Sequence, residues 1–139
     1  MRLFGSLVLA TFALGLATCS PGEARKPTFP VSGKVVLPDG QPAENAQVVF
    51  HPASGADAGV PKPHGKVGAD GTYKLTTYDT NDGAPAGEYR VTVELWLAGR
   101  GDEAASNRLN LRYSKPETAK LPASVGTGPT DLKPIELKR

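Results

Sequence analysis

"EYRVTVELWL", residues 88–97, alternates polar and apolar side chains over ten positions. In an extended chain successive side chains point to opposite faces. Tyr89, Val91, Val93, Leu95 and Leu97 are therefore predicted inward, and Arg90, Thr92, Glu94 and Trp96 outward. One face of a strand built this way needs an apolar partner, and the flanking sequence repeats the pattern. Val31, Gly33, Val35 and Leu37 alternate with Ser32 and Lys34. Ala46, Val48 and Phe50 alternate with Gln47 and His51, and Tyr73 and Leu75 with Lys74 and Thr76. Asp70-Gly71 is a two-residue hairpin signal between the last pair of runs.

Two shorter strand candidates follow, "KLPASV" (120–125) and "LKPIELK" (132–138). Pro122 and Pro134 lack a backbone donor, which places both at sheet edges or at bulges. With 16 Gly and 13 Pro in 139 residues, turns are plentiful and no amphipathic helix stands out. About seven short strands, each with one apolar face, predict an all-β fold, an antiparallel sandwich of two sheets. A net charge of +2 with both signs interspersed gives no basic stripe, so no nucleic-acid partner is expected. The single cysteine leaves no intrachain disulfide and no Cys-based zinc site.

The amino terminus reads differently. "MRLFGSLVLATFALGLATCS" has one positive residue, Arg2, then an uncharged and largely apolar run from Leu3 to Ala17. That run falls short of the roughly 20 residues a membrane-crossing helix needs and fits the apolar region of a signal peptide. "LATC" (16–19) resembles the lipobox of bacterial lipoproteins, in which the cysteine thiol receives a diacylglyceryl group. Residues 1–18 are thus expected to be a lipoprotein signal peptide, with Cys19 the lipidation site and the membrane partner reached through that lipid. Cleavage after Ala17, at Gly15-Leu16-Ala17, is the alternative. "SPGEARKPTFP" (20–30) is polar, proline-containing and aperiodic, so 19–29 are expected to form a flexible tether and 30–139 the folded domain.

Three segments in order carry a family resemblance: "PVSGKVVLPDGQPAENAQVVFHPAS", "ADGTYKLTTYDTNDGAPAGEYRVTV" and "LRYSKPETAKLPASV". Over roughly residues 30–138 the chain resembles the small carboxypeptidase regulatory-like (transthyretin-like) lipoproteins of planctomycete-type bacteria. Its most distinctive portion is a tyrosine-aspartate, a DGAP turn and a GEY strand start. The resemblance implies a seven-stranded Greek-key sandwich of the prealbumin type, displayed at the cell envelope, with no active site and no cofactor.

Candidate sites are few. In "YDTNDG" (78–83), Asp79, Asn81 and Asp82 are weak calcium candidates, but Asp82 and Gly83 each come one place early for an EF-hand loop. Asn, Asp and Gly there equally suit a turn with side-chain-to-backbone hydrogen bonds. His51 and His64 have no ligand set around them, and no G-x-S-x-G nucleophile motif occurs. The Tyr-Arg-Gly-Ser ending of the hydroxyisourate hydrolases that share the transthyretin-like fold is replaced by "PIELKR". Arg-Gly-Asp within "GRGDE" (99–103) reads as a solvated loop. Trp96 is expected to pack beneath the long 98–119 loop; the alternative places it outward with Arg90 as a binding surface. The function expected from all this is non-catalytic: a structural or interaction module whose partner is an envelope protein or a glycan.

Overall fold

The structure is a computed structural model that describes residues 25–55 and 59–139. The expected signal peptide, Cys19 and the first part of the tether lie outside the described residues. Seven longer strand segments carry the fold: β2 (Val31–Val36), β3 (Gln47–Pro52), β4 (His64–Lys66), β5 (Thr72–Lys74), β7 (Gly87–Glu94), β10 (Pro122–Val125) and a last, interrupted strand formed by β11 (Thr130–Asp131) and β12 (Ile135–Glu136). Two-residue strands β1 (Thr28–Phe29), β6 (Ala84–Pro85), β8 (Trp96–Leu97) and β9 (Ser106–Asn107) accompany them.

One sheet has the order β10-β7-β3-β4, antiparallel throughout. In the other, β2 is flanked by β5 and by β11–β12. At one edge the sheets are joined: His64 and Thr76 exchange both backbone hydrogen bonds, at 3.0 and 2.8 Å. The Asp70-Gly71 turn, closed by a 2.8 Å bond from the Gly68 N–H to Thr72 O, thus hands the chain from one sheet to the other, and its strands bond again at that bridge. Around this corner the order β7-β3-β4-β5 is a Greek key, the chain returning beside β3 after two intervening strands.

One expectation about pairing needs correction. The last strand runs parallel to β2, Thr130 opposite Val31 and Ile135 opposite Val35, so the sandwich is not antiparallel throughout. Period-two alternation is the same for either direction, which is why it could not tell them apart. Residues 25–29, expected within the tether, lie on the 78–85 loop, where β1 pairs with β6 and Arg25 meets Asp79 at 3.1 Å.

The core follows the alternation. Ala46, Val48, Phe50, Leu75 and Val93 are fully buried, and Tyr89, Val91 and Tyr73 nearly so. The Phe50 ring lies 5.6 Å from that of Tyr89 and 6.4 Å, across the sandwich, from that of Tyr73. Burying a ring of this size contributes about 2–3 kcal/mol. Pro122 and Pro134 sit where their missing donors are tolerated. Pro122 is in the edge strand β10, and Pro134 is at an extra residue between β11 and β12. That extra residue resets the alternation, so Leu132, Ile135 and Leu137 all turn to the core although their spacing is three and then two.

The long strand departs from its pattern at two places. Thr92, expected outward, is buried and shares a 3.0 Å hydrogen bond with His51 Nε2. A 3₁₀ turn (Leu111–Ser114) and helix α1 (Pro116–Ala119) pack against β7 and cover part of that sheet. Leu97, expected inward, is 42% exposed, because regular pairing stops at Leu95 and the chain leaves the sheet.

Candidate functional site

The acid-rich loop is built around one carboxylate. Asp82 accepts the backbone N–H groups of Thr77 (2.7 Å), Tyr78 (3.0 Å) and Asp79 (3.1 Å). Its own N–H returns to Asp79 O at 3.0 Å. Burial alone pushes the Asp82 carboxyl up, but these donors outweigh it and hold the group below its ordinary 3.8. Asn81 takes a positive φ of 60°, and its N–H donates to Thr76 Oγ1 at 2.9 Å. The loop closes through Thr77 Oγ1, which donates to Gly83 O at 2.7 Å.

Two of the three calcium candidates, Asp79 and Asp82, are already engaged by protein groups. Both Asp82 oxygens already serve backbone donors, and Asp79 engages Arg25, whose guanidinium also lies 5.2 Å over the Tyr78 ring. Among the described residues no group of three or more His, Cys, Asp or Glu side chains is placed to hold a metal. The rest of the motif is structural as well. Ala84-Pro85 pairs with β1, and the Tyr89 hydroxyl donates back to Pro85 O at 2.7 Å. This contact is a tyrosine corner, fixing the turn into β7.

His51 is half-buried, and burial with nearby Lys62 lowers its pKa, which favours the neutral ring that shares the Thr92 hydroxyl. His64 is exposed and contacts Lys62 O at 3.1 Å.

Trp96 is not under the 98–119 loop: it is 54% exposed, with its indole N–H donating to Glu94 Oε2 at 2.9 Å. It stands on the short β8–β9 ribbon, Trp96 opposite Asn107. Arg90 is exposed but distant from it. It pairs with His51 and Pro122 in the middle of the sheet, six residues or about 20 Å along the chain from Trp96. Trp96 instead shares the 96–111 excursion with Leu97 and Leu111, the latter 73% exposed, and these are the exposed large hydrophobics among the described residues.

Asn107, a residue the sequence reading did not single out, anchors that excursion. Its Oδ1 accepts the N–H groups of Leu95 (3.0 Å) and Leu109 (3.1 Å), while Nδ2 donates to Ser114 Oγ at 2.9 Å. Asn107→Ala is expected to cost about 1–2 kcal/mol of stability. It should also speed amide hydrogen exchange at Leu95 and Leu109, and unchanged exchange there would contradict the anchoring role.

The edge opposite the His64–Thr76 bridge is open. There β10 faces β11–β12 across a cleft of about 380 Å³ that reaches Phe50, Tyr73 and Val91. Leu121 and Ala123 line one side, Leu132 and Ile135 the other.

No model of a known protein family matches the chain, and neither does any curated protein. Among solved structures it is similar to a candidate carbohydrate-binding protein from Pseudomonas aeruginosa, with 13% identity and a TM-score of 0.45 over 81% of this chain and 90% of that one. It is also similar to a 9R-lipoxygenase from Cyanothece, with 15% identity and a TM-score of 0.39 over 80% of this chain and 16% of that one.

Proposed function

We propose that this chain is a non-catalytic β-sandwich of the carboxypeptidase regulatory-like type, exported and held at a bacterial envelope membrane by lipid on Cys19, where it acts by protein contact. The observation that supports the contact role is the exposure of Trp96, Leu97 and Leu111 along one excursion of the chain, while the other large apolar side chains among the described residues are buried or half-buried. Aromatic and aliphatic groups exposed together are what protein interfaces use as anchors. The engagement of both Asp82 oxygens by backbone donors supports the non-catalytic part, since it gives that carboxylate a structural task.

The anchor is tested by membrane fractionation with mass spectrometry of the mature amino terminus. A diacylglyceryl Cys19 is expected, and an unmodified Thr18 terminus would contradict it. The contact role is tested by crosslinking in envelope membranes. The double variant Trp96→Ala, Leu111→Ser is expected to lower capture of the crosslinked protein about tenfold, the effect of losing one interface anchor or more. Equal capture would place the contact elsewhere. Glycan binding is the second reading, favoured by the outward Trp96 ring, whose face suits stacking on a sugar. Glycan-array binding that disappears in Trp96→Ala would select it.

A further inference from the structure

One wall of the cleft at the open edge is formed by a tyrosine whose buried hydroxyl has nothing to bond to. Tyr73 crosses from β5 over β2: its hydroxyl lies where a Cβ on Gly33 would sit only 2.5 Å away, so the ring needs that glycine beneath it. Beyond Gly33 lies the β11–β12 rim, so the ring points toward the cleft whose wall it helps to form. Tyr73 is 2% exposed, and its hydroxyl has no hydrogen-bond partner. A buried hydroxyl left unbonded is costly, and the native interior rarely keeps one without a reason.

We propose that this cleft is a binding site for a small, uncharged, mainly apolar molecule that carries one hydrogen-bond acceptor, which receives the Tyr73 hydroxyl. The volume is within the range of small-molecule sites, which are lined by apolar side chains with few, placed polar groups. The acceptor is uncharged because the surroundings of Tyr73 disfavour an anion: burial, and after it the Asp131 carboxylate, both oppose negative charge there. An added peptide strand fits less well. Pro122 and Pro134 remove donors from the two rims, so an incoming backbone would find few partners. The inference is independent of the envelope contact, which involves the 96–111 excursion and not this edge.

The test uses the full chain carrying Cys19→Ser, so that no lipid is attached, with butyrophenone as probe. Methyl NMR signals of Ala123, Leu132 and Ile135 are expected to shift saturably. Tyr73→Phe, which keeps the ring, is expected to weaken butyrophenone binding about three- to tenfold, the worth of one hydrogen bond. It should leave binding of butylbenzene, which lacks the acceptor, unchanged. Ala123→Phe, which fills the cleft, is expected to abolish both. Absence of methyl shifts in the folded protein, or equal butyrophenone affinity in Tyr73→Phe, overturns the proposal. So does a peptide that shifts the Ser124 and Glu136 amides while butyrophenone leaves the methyls unmoved.

Discussion

Gly83→Ala is expected to destabilise the domain by about 4 kcal/mol, adding backbone strain at positive φ to a steric clash that the packed loop cannot relieve. Gly83 has φ +91°, and a Cβ there would lie 1.7 Å from Phe29 O and 2.8 Å from Pro30 Cα. The loop cannot retreat, because the Gly83 N–H is bonded to Leu75 O at 2.9 Å and its carbonyl to the Thr77 hydroxyl. Relief requires residues 25–30 to leave the loop, breaking the β1–β6 pair and the entry into β2. Thermal unfolding should show a midpoint lowered by about 15 °C. A variant within about 1 kcal/mol of wild type would mean that β1 does not lie on this loop.

Asp82→Ala is expected to cost about 3 kcal/mol near neutral pH, because three backbone N–H groups lose a charged acceptor together. The loss should depend on pH in a defined direction. The folded carboxyl sits below its ordinary 3.8, so its stabilisation is fully present above that value. It fades as pH falls through the lower, folded value. Denaturation of wild type and variant from pH 2 to 8 should therefore give a constant gap above about pH 5 that narrows under acid. Asp82→Asn, which keeps one acceptor oxygen, should fall between the two. A gap that persists unchanged to pH 2 would show that the charge plays no part.

Much of the sandwich was legible because alternation reports directly on which face a strand buries. Ala46 just before β3, Val48 and Phe50 on it, Tyr89, Val91 and Val93 on β7 and Leu95 just after it are buried as their spacing predicts. The pattern failed where something other than the opposite sheet decides burial. Thr92 is covered because α1 and the 3₁₀ turn pack on β7, and four-residue elements are too short to leave a helical repeat in the sequence. Trp96 was expected under the following loop, but that chain folds into the β8–β9 ribbon, stitched by Asn107, and leaves the indole outside.

The proline argument held because it rests on a missing atom: a residue without an N–H belongs at an edge or a bulge, and Pro122 and Pro134 occupy one of each. For "YDTNDG" the spacing already favoured a turn over a metal loop, and the bonds from backbone N–H groups to both Asp82 oxygens agree with a turn. The cleft left no trace in the sequence. It depends on Tyr73 standing opposite Gly33, a matter of register between strands some 40 residues apart.

That this chain uses its acid-rich loop to hold backbone, not to hold a metal or a reacting group, is tested most directly by NMR of the Thr77, Tyr78 and Asp79 amides. These three signals are expected to titrate together with the Asp82 carboxyl, at a pH below the ordinary aspartate value, and to stay in place when millimolar calcium is added. Amides that move on calcium addition, together with a calcium-dependent rise in stability, would contradict the account.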